Sequence, residues 1–327
     1  MHYLLRRIGF YLLALWASLT LNFLIPRLMP GDPVLLLVAK LQGRVDPQSI
    51  QALRIAFGVN THLSLWQQYA QYLGNLAHGN LGISITYFPL PVTDVIAQSL
   101  PWTLVLVGTA AVISFVVGTL LGTLAAWRRG SWMDTTLAPA LTFLSAVPYF
   151  WLALIVLFAL GFTLKLFPLT GSYDLATDPG FNLPFILGAA YHAILPALTI
   201  VVSSIAGWML GMRNAMLSTL SEDYVLMAQA KGLSDRRVML MYAARNAILP
   251  NITGFALSLG FVVGGALLTE IIFSYPGIGF ALLQAVQSED FPLMQGIFLV
   301  ITLAVLGANF LADILYVVLD PRVRQER

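Results

Sequence analysis

The sequence contains no cysteine in 327 residues, which excludes disulfides, thiolate nucleophiles and every cysteine-ligated metal or cluster. Charge is the second scarcity: Asp, Glu, Lys and Arg make up only 10% of the chain, against about 25% in a soluble domain. Lys+Arg 17 against Asp+Glu 15 leaves a net charge of +2, too small to argue for a nucleic-acid partner. Histidine is thin as well. His2, His62, His78 and His192 are too dispersed for a local metal motif, and no His-Glu-x-x-His pair occurs. No lysine follows a glycine, because Lys40, Lys165 and Lys231 come after Ala39, Leu164 and Ala230. The chain therefore lacks the Gly-Lys-Ser/Thr loop that cradles phosphates, and ATP hydrolysis linked to it must occur on another subunit. The Gly-x-Ser-x-Gly elbow of hydrolases is missing too, since Gly82-Ile83-Ser84-Ile85-Thr86 lacks the final glycine.

What remains is apolar. Hydrophobic residues are 58% of the chain and mean hydropathy is +0.82, more than a soluble core could hide, so the expected solvent is lipid. A bilayer core needs about 20 apolar residues of helix. Six uncharged stretches suffice: 8–26, 95–127, 135–164, 179–212, 246–269 and 291–312. They predict an all-α membrane protein with transmembrane helices at 8–26, 99–126, 137–164, 194–213, 250–272 and 294–318. Residues 55–93 are too rich in Gln, Asn, His and Gly for lipid, and 271–288 are interrupted by Pro276-Gly277. The latter read as the end of helix five followed by a short interfacial or re-entrant helix. The apolar run after Arg6-Arg7 is longer than a signal-peptide core and no A-x-A site follows, so it predicts a retained first helix.

Charge sets the orientation. With both termini in the cytoplasm, the inside segments hold 12 positive residues: Arg6, Arg7, Arg128, Arg129, Arg213, Lys231, Arg236, Arg237, Arg245, Arg322, Arg324 and Arg327. The outside segments hold 5, Arg27, Lys40, Arg44, Arg54 and Lys165, diluted in long loops, as the positive-inside rule expects. The predicted organisation is helix one with a long external loop over 1–98, a five-helix core over 99–320 and a cytoplasmic tail over 321–327.

Three polar features are candidates for function. In the first external loop, apolar residues at 65, 66, 69, 72 and 73 suit one face of a helix, lying on the membrane, packed on the bundle or docking an external partner. The longest inside loop, 213–250, carries 5 positive and 3 negative charges. There Gly232 is placed to end a helix in the left-handed conformation, and Ser234 to cap the next by accepting a backbone N–H, with Asp235 near its positive dipole end. Pro250 then breaks or kinks the chain where it enters the membrane. Helix, tight turn, helix projecting from the membrane reads as a docking element for a cytoplasmic protein. Glu270, Asp313 and His192 are the candidates for an ion-coupled carrier, but all fall near span ends, where water or a backbone cap satisfies them. Gly-x-x-x-Gly pairs at 118/122, 207/211 and 260/264 permit close helix packing but are no more frequent than chance with 26 glycines.

These segments carry a resemblance. The run Glu222-Asp223-Tyr224-Val225 through Ala228-Gln229-Ala230-Lys231-Gly232-Leu233, then Arg237-Val238 and Arg245-Asn246-Ala247-Ile248-Leu249-Pro250, is similar to the cytoplasmic "EAA" loop of permease subunits of binding-protein-dependent ABC importers, in the dipeptide/oligopeptide/nickel group. Further matches are Pro30-Gly31-Asp32-Pro33, Gly79-Asn80-Leu81-Gly82-Ile83-Ser84, Leu195-Pro196, Thr269-Glu270-Ile271-Ile272-Phe273, Pro276-Gly277-Ile278-Gly279, Asp313-Ile314-Leu315-Tyr316 and Asp320-Pro321-Arg322. The chain departs from that pattern with Asn80 in place of the usual Asp, with Phe57-Gly58-Val59-Asn60, and with a longer step from Gly232 to Leu249-Pro250. The resemblance implies a type I importer transmembrane domain working by alternating access. It implies a second homologous permease, two cytoplasmic ABC ATPases that bind ATP and Mg, and an extracytoplasmic substrate-binding protein. By the same resemblance the residues that couple to the ATPase are Glu222, Asp223, Ala228, Ala230, Gly232, Ser234, Arg236, Arg237 and Arg245, with no catalytic residue or cofactor on this chain.

Overall fold

The structure, a computed structural model, describes residues 2–28, 34, 38 and 63–319. Pro30-Gly31-Asp32-Pro33, Phe57-Gly58-Val59-Asn60, Lys40, Arg44, Arg54, Asp320-Pro321-Arg322 and the tail 321–327 lie outside the described residues. Among the described residues the chain is helical, with one isolated bridge between Ile83 and Pro91. The helices are α1 His2–Leu28, α2 Leu65–Ala77, α3 Val92–Trp127, α4 Ala138–Ala146, α5 Tyr149–Val156, α6 Leu183–Leu220 and α7 Asp223–Ala230. They continue as α8 Asp235–Arg237, α9 Arg245–Ala247, α10 Leu249–Val262, α11 Leu267–Ile272, α12 Ile278–Gln287 and α13 Phe291–Leu319. Three π-helical segments, Met133–Leu137, Leu157–Thr163 and Val238–Ala244, adjoin α4, α5 and α8.

Four of these helices contain stretches long and apolar enough to cross a membrane: Arg7–Leu28, Val92–Trp127, Leu183–Leu220 and Phe291–Leu311. Two expected spans are corrected. The span predicted at 137–164 is a bent pair, Met133–Ala146 and Tyr149–Thr163, turning by 98°. The cause is Pro148, which removes one helical donor and drives Val147 into the extended region at ψ 129°. The span predicted at 250–272 is split between α10 and α11 at residues 263–266, where Gly265 has φ +75°, outside the helical region. The fourth span starts earlier than the expected 194, because Asn182 caps α6 by accepting the Phe185 N–H at 2.9 Å. Over 271–288 the short helix read from Pro276-Gly277 is present as α12.

The chain divides into two compact units. The first takes its described residues from the segments up to Thr103, Val263–Leu267 and Pro276–Gly307. Its core is Val92, Val95, Ile96, Ile278, Ala281, Ala285, Phe291, Leu293, Met294 and Ile297. A Cβ at Gly296 would lie 2.5 Å from Val92, so only glycine lets these helices approach this closely. Pro26 in α1 has no N–H to give the Asn22 carbonyl, and the Gln295 side chain supplies that donor at 3.3 Å. The central polar feature is Asp290, fully buried. Its Oδ2 accepts from Ser84 Oγ at 2.5 Å, Ile85 N at 2.7 Å and Thr86 N at 2.8 Å, while Oδ1 accepts from Leu293 N at 3.0 Å. One carboxylate thus caps α13 and ties down the loop that precedes α3.

The second unit comprises Leu104–Val262, Leu268–Tyr275 and the described residues from Ala308 onward. Here α3 meets α6 backbone to backbone. A Cβ at Gly118 would lie 2.8 Å from the Ile205 carbonyl oxygen, and one at Gly122 only 2.3 Å from that of Met209. The 118/122 pair is therefore a true close-packing seam, whereas Gly207 faces open space. Asn251 of α10 donates to the Trp208 carbonyl at 3.0 Å and to Thr119 Oγ1 at 3.4 Å, next to a stack of Phe115 on Phe255 with centroids 4.3 Å apart. Glu270, expected to reach water or a cap at a span end, is instead fully buried. His192 Nδ1 lies 2.8 Å from the Gly188 carbonyl oxygen, as a local cap would place it.

Two outcomes check this packing. Asp290→Ala leaves four donors without an acceptor and costs about 3 kcal/mol, read as a lower unfolding midpoint of the detergent-purified chain. Gly122→Leu drives a side chain into backbone and costs at least about 1–3 kcal/mol. It abolishes the monodisperse peak in size-exclusion chromatography, which Gly207→Ala preserves.

Candidate functional site

The segment 213–250 forms the expected helix, turn and helix. It begins at Arg213, whose Nε donates to Asp134 Oδ1 at 2.6 Å, while Asp134 Oδ2 accepts the Gly130 N–H at 2.9 Å. One carboxylate thereby fixes both the end of α6 and the 128–134 turn. Asp134 went unnoticed in the sequence because 79 residues separate it from its partner; the only signal was a lone acid beside Arg128 and Arg129.

The turn closes as a full Schellman motif. Gly232 has φ +71°, its N–H donates to the Gln229 carbonyl at 2.9 Å, and the Leu233 N–H donates to that of Ala228 at 3.4 Å. The left-handed conformation favours glycine here, and a Cβ at Gly232 would meet nothing within 4 Å. Neighbouring atoms of this chain therefore impose no size limit at Gly232. Ser234 stands at the start of α8 in the extended conformation, but its hydroxyl makes no capping bond. The expected side-chain cap is corrected: it is the Ser234 carbonyl that accepts, from Arg237 N at 2.8 Å and Val238 N at 3.0 Å. Pro250 falls in the first turn of α10, directly after a break at Ile248, as its missing N–H requires.

The element has an inner and an outer side. Val225, Ala228 and Val238 are buried together, with Trp127, Leu220, Leu233 and Tyr242 packed against them. A second cluster, Ala126, Met212, Met216, Ala243 and Ala247, continues that contact onto α3 and α6. Each buried valine contributes roughly 1.5–3 kcal/mol by leaving water, so the element is held by packing rather than by its charges. Tyr224 and Asn246 join its two arms through a 3.1 Å hydrogen bond.

The residues singled out from the sequence separate accordingly. Glu222, Asp223, Ala230, Gly232, Ser234, Arg236, Arg237 and Arg245 are exposed, whereas Ala228 is 3% exposed inside the element's own core. Sequence reading left out the apolar part of the outer side: Leu226 is 49% and Met227 59% exposed on α7, and Met241 56% on the second arm. An outer surface that combines exposed charges with exposed Leu226, Met227 and Met241 around a tight turn is suited to docking, and among the described residues no cluster of His, Asp or Glu could hold a metal.

Residues 118–325 match the family described as binding-protein-dependent transport system inner membrane component, and the chain belongs to that family. The resemblance read from the motifs is thereby borne out. The chain is 38% identical to the di/tripeptide transport system permease protein DppB of Pseudomonas aeruginosa, over 99% of each chain. It is 33% identical to the dipeptide transport system permease protein DppB of Escherichia coli over 100% of each, and 33% identical to the oligopeptide transport system permease protein AppB of Bacillus subtilis over 98% of each. It is a multi-pass membrane protein, the permease subunit of an ABC importer, in a family whose members are not themselves enzymes.

Ala228 and Ala230 differ in a measurable way. Ala228→Leu overfills the inner cluster and destabilises the element by about 1–3 kcal/mol, whereas Ala230→Leu, on the exposed side, changes stability by less than about 0.5 kcal/mol. Hydrogen exchange of the amides from Val225 to Ala244 accelerates in the first variant only.

Proposed function

We propose that this permease moves short peptides, or related small solutes, from an external binding protein into the cytoplasm by alternating access. The observation that carries the cargo class is the end-to-end alignment with permeases named for di/tripeptide, dipeptide and oligopeptide transport. In this reading a second homologous permease completes the pathway. Two cytoplasmic ATPases bind ATP and Mg and hydrolyse the nucleotide that this chain has no loop to hold. The positive-inside balance supports cytoplasmic termini, with helix one and its external loop over 1–98, the permease core over 99–320 and a short tail after it.

The element 213–250 is the coupling device. Its turn at Gly232 enters a cleft of an ATPase, where a left-handed glycine lets the backbone approach closely. Glu222, Asp223, Ala230, Ser234, Arg236, Arg237 and Arg245 meet the ATPase surface, with Leu226 and Met227 as the apolar part of the contact. Ala228 acts from within, keeping the two arms together so that a push on the tip reaches α6.

Gly232→Arg abolishes ATP-driven dipeptide uptake in proteoliposomes holding the whole complex, while expression and assembly of the permease persist. Gly232→Asn, which tolerates the left-handed conformation with less bulk, retains most uptake. Transport by the purified chain alone under a proton gradient, lost in Glu270→Gln, would overturn this reading in favour of an ion-coupled carrier.

A further inference from the structure

The helix α2, Leu65–Ala77, is not used by the function above. Ser64 and Gln67 start it with a reciprocal capping box, so its register is set locally. It is bound to the end of α1 that carries Arg27. Tyr69 and Tyr72 lie edge-on or tilted against Phe23, with centroids 5.1 and 5.6 Å away. Tyr69 shares a 2.8 Å hydrogen bond with Thr20, and Arg27 Nε donates to Gln68 at 3.2 Å.

Those contacts fix the height of α2 along α1. The span Arg7–Leu28 is 22 residues long, about 33 Å at 1.5 Å per residue and so close to the thickness of a hydrocarbon core. Phe23 lies five residues before Leu28, about 7 Å inside the end of that span. This is the depth, about 5–10 Å, at which an interfacial amphipathic helix buries its apolar side. At the same height Leu21 is 57% and Ile25 47% exposed, so this chain leaves apolar surface of α1 uncovered immediately beside α2.

The sides of α2 agree with that depth. At 100° per residue, Trp66, Ala70, Leu73 and Ala77 form one stripe next to the tyrosines that meet α1, and Trp66 is 79% exposed. Gln67, Gln71, Asn75 and His78 form a separate polar stripe, about 125° around the helix from the first and also exposed. An exposed Trp within the apolar stripe of an otherwise polar helix suits an interface anchor.

We propose that α2 is a membrane-interface helix: its Trp66–Ala77 stripe is embedded in the outer leaflet beside α1, and its glutamine stripe faces the external water. The occupant of this surface is the lipid headgroup–acyl boundary, continuous with the lipid around α1. The proposal rests on α1 crossing the membrane with Arg27 at the outer end. It ties the second half of the external loop to the bilayer surface.

The absence of native cysteine allows single-cysteine labelling of the otherwise natural chain. Ala70→Cys, Ala77→Cys, Gln71→Cys and Asn75→Cys are spin-labelled in the full-length chain, assembled with its co-purifying subunits in phosphatidylethanolamine/phosphatidylglycerol nanodiscs. Leu13→Cys on exposed α1 serves as the lipid reference. The expected result is that positions 70 and 77 collide preferentially with oxygen, as position 13 does, while 71 and 75 collide preferentially with water-soluble nickel-EDDA. Water-like behaviour at 70 and 77 overturns the proposal, and so does exclusion of both reagents there, which would mean that a protein covers the stripe. Should Leu13→Cys itself read as water-exposed, the membrane placement of α1 fails, and the proposal with it.

Discussion

The hydrocarbon interior offers the backbone no hydrogen-bonding partner, and the rest of this structure follows from how that demand is met. Continuous helices meet it within themselves. At several breaks in the helices a protein group supplies the missing bond. The Gln295 side chain serves the Asn22 carbonyl that Pro26 leaves open. Beyond the bent pair, the Leu166 N–H returns to the Leu160 carbonyl at 2.8 Å, and the Gly171 N–H reaches that of Phe273 at 2.9 Å. After α11 the chain folds back so that the Tyr275 N–H meets the Glu270 carbonyl at 2.8 Å.

The same demand explains where the few charges fall. Asp290 and Asp134 both stand at helix ends and both collect several donors, so each carboxylate replaces a set of bonds that water would otherwise have made. One secures the loop before α3 and the other secures Arg213, where the 213–250 segment begins. In these two places the carboxylates hold helices and turns together. On the 213–250 element polar, charged and exposed apolar side chains occur together on a surface held by packing from behind.

Much of this could be read from the residues. Length without charge located the spans, Gly232 announced the end of α7, and the 65–73 spacing announced α2. What failed were the breaks inside apolar runs. Val147-Pro148 was a visible signal, because proline excludes helix from the preceding residue, yet an uncharged run of adequate length outweighed it. The split at 263–266 has only glycine to mark it, in a chain where glycine is common. Gly118 and Gly122 were discounted for the same statistical reason, although contact with the α6 backbone makes them indispensable. The Asp290 cap stood in plain sight as Asp290-Phe291-Pro292 before an apolar run, a start signal with proline in the first turn. Its second duty toward residues 84–86 depends on a pairing some 200 positions away, which no local pattern encodes. Ser234 shows the converse: a residue of the right type in the right place whose hydroxyl does not make the bond.

The length of α6 has a mechanical meaning. Its 38 residues extend for about 57 Å, nearly twice the hydrocarbon thickness, and the end at Leu220 packs against the element that ends in Gly232. A helix gripped along its middle by backbone contact at Gly118 and Gly122 resists sliding and transmits torque as a stiff rod. Its single missing internal donor is at Pro196, one turn beyond His192. Bending of α6 therefore concentrates at that turn, and the stretch from there to Leu220 moves as one piece.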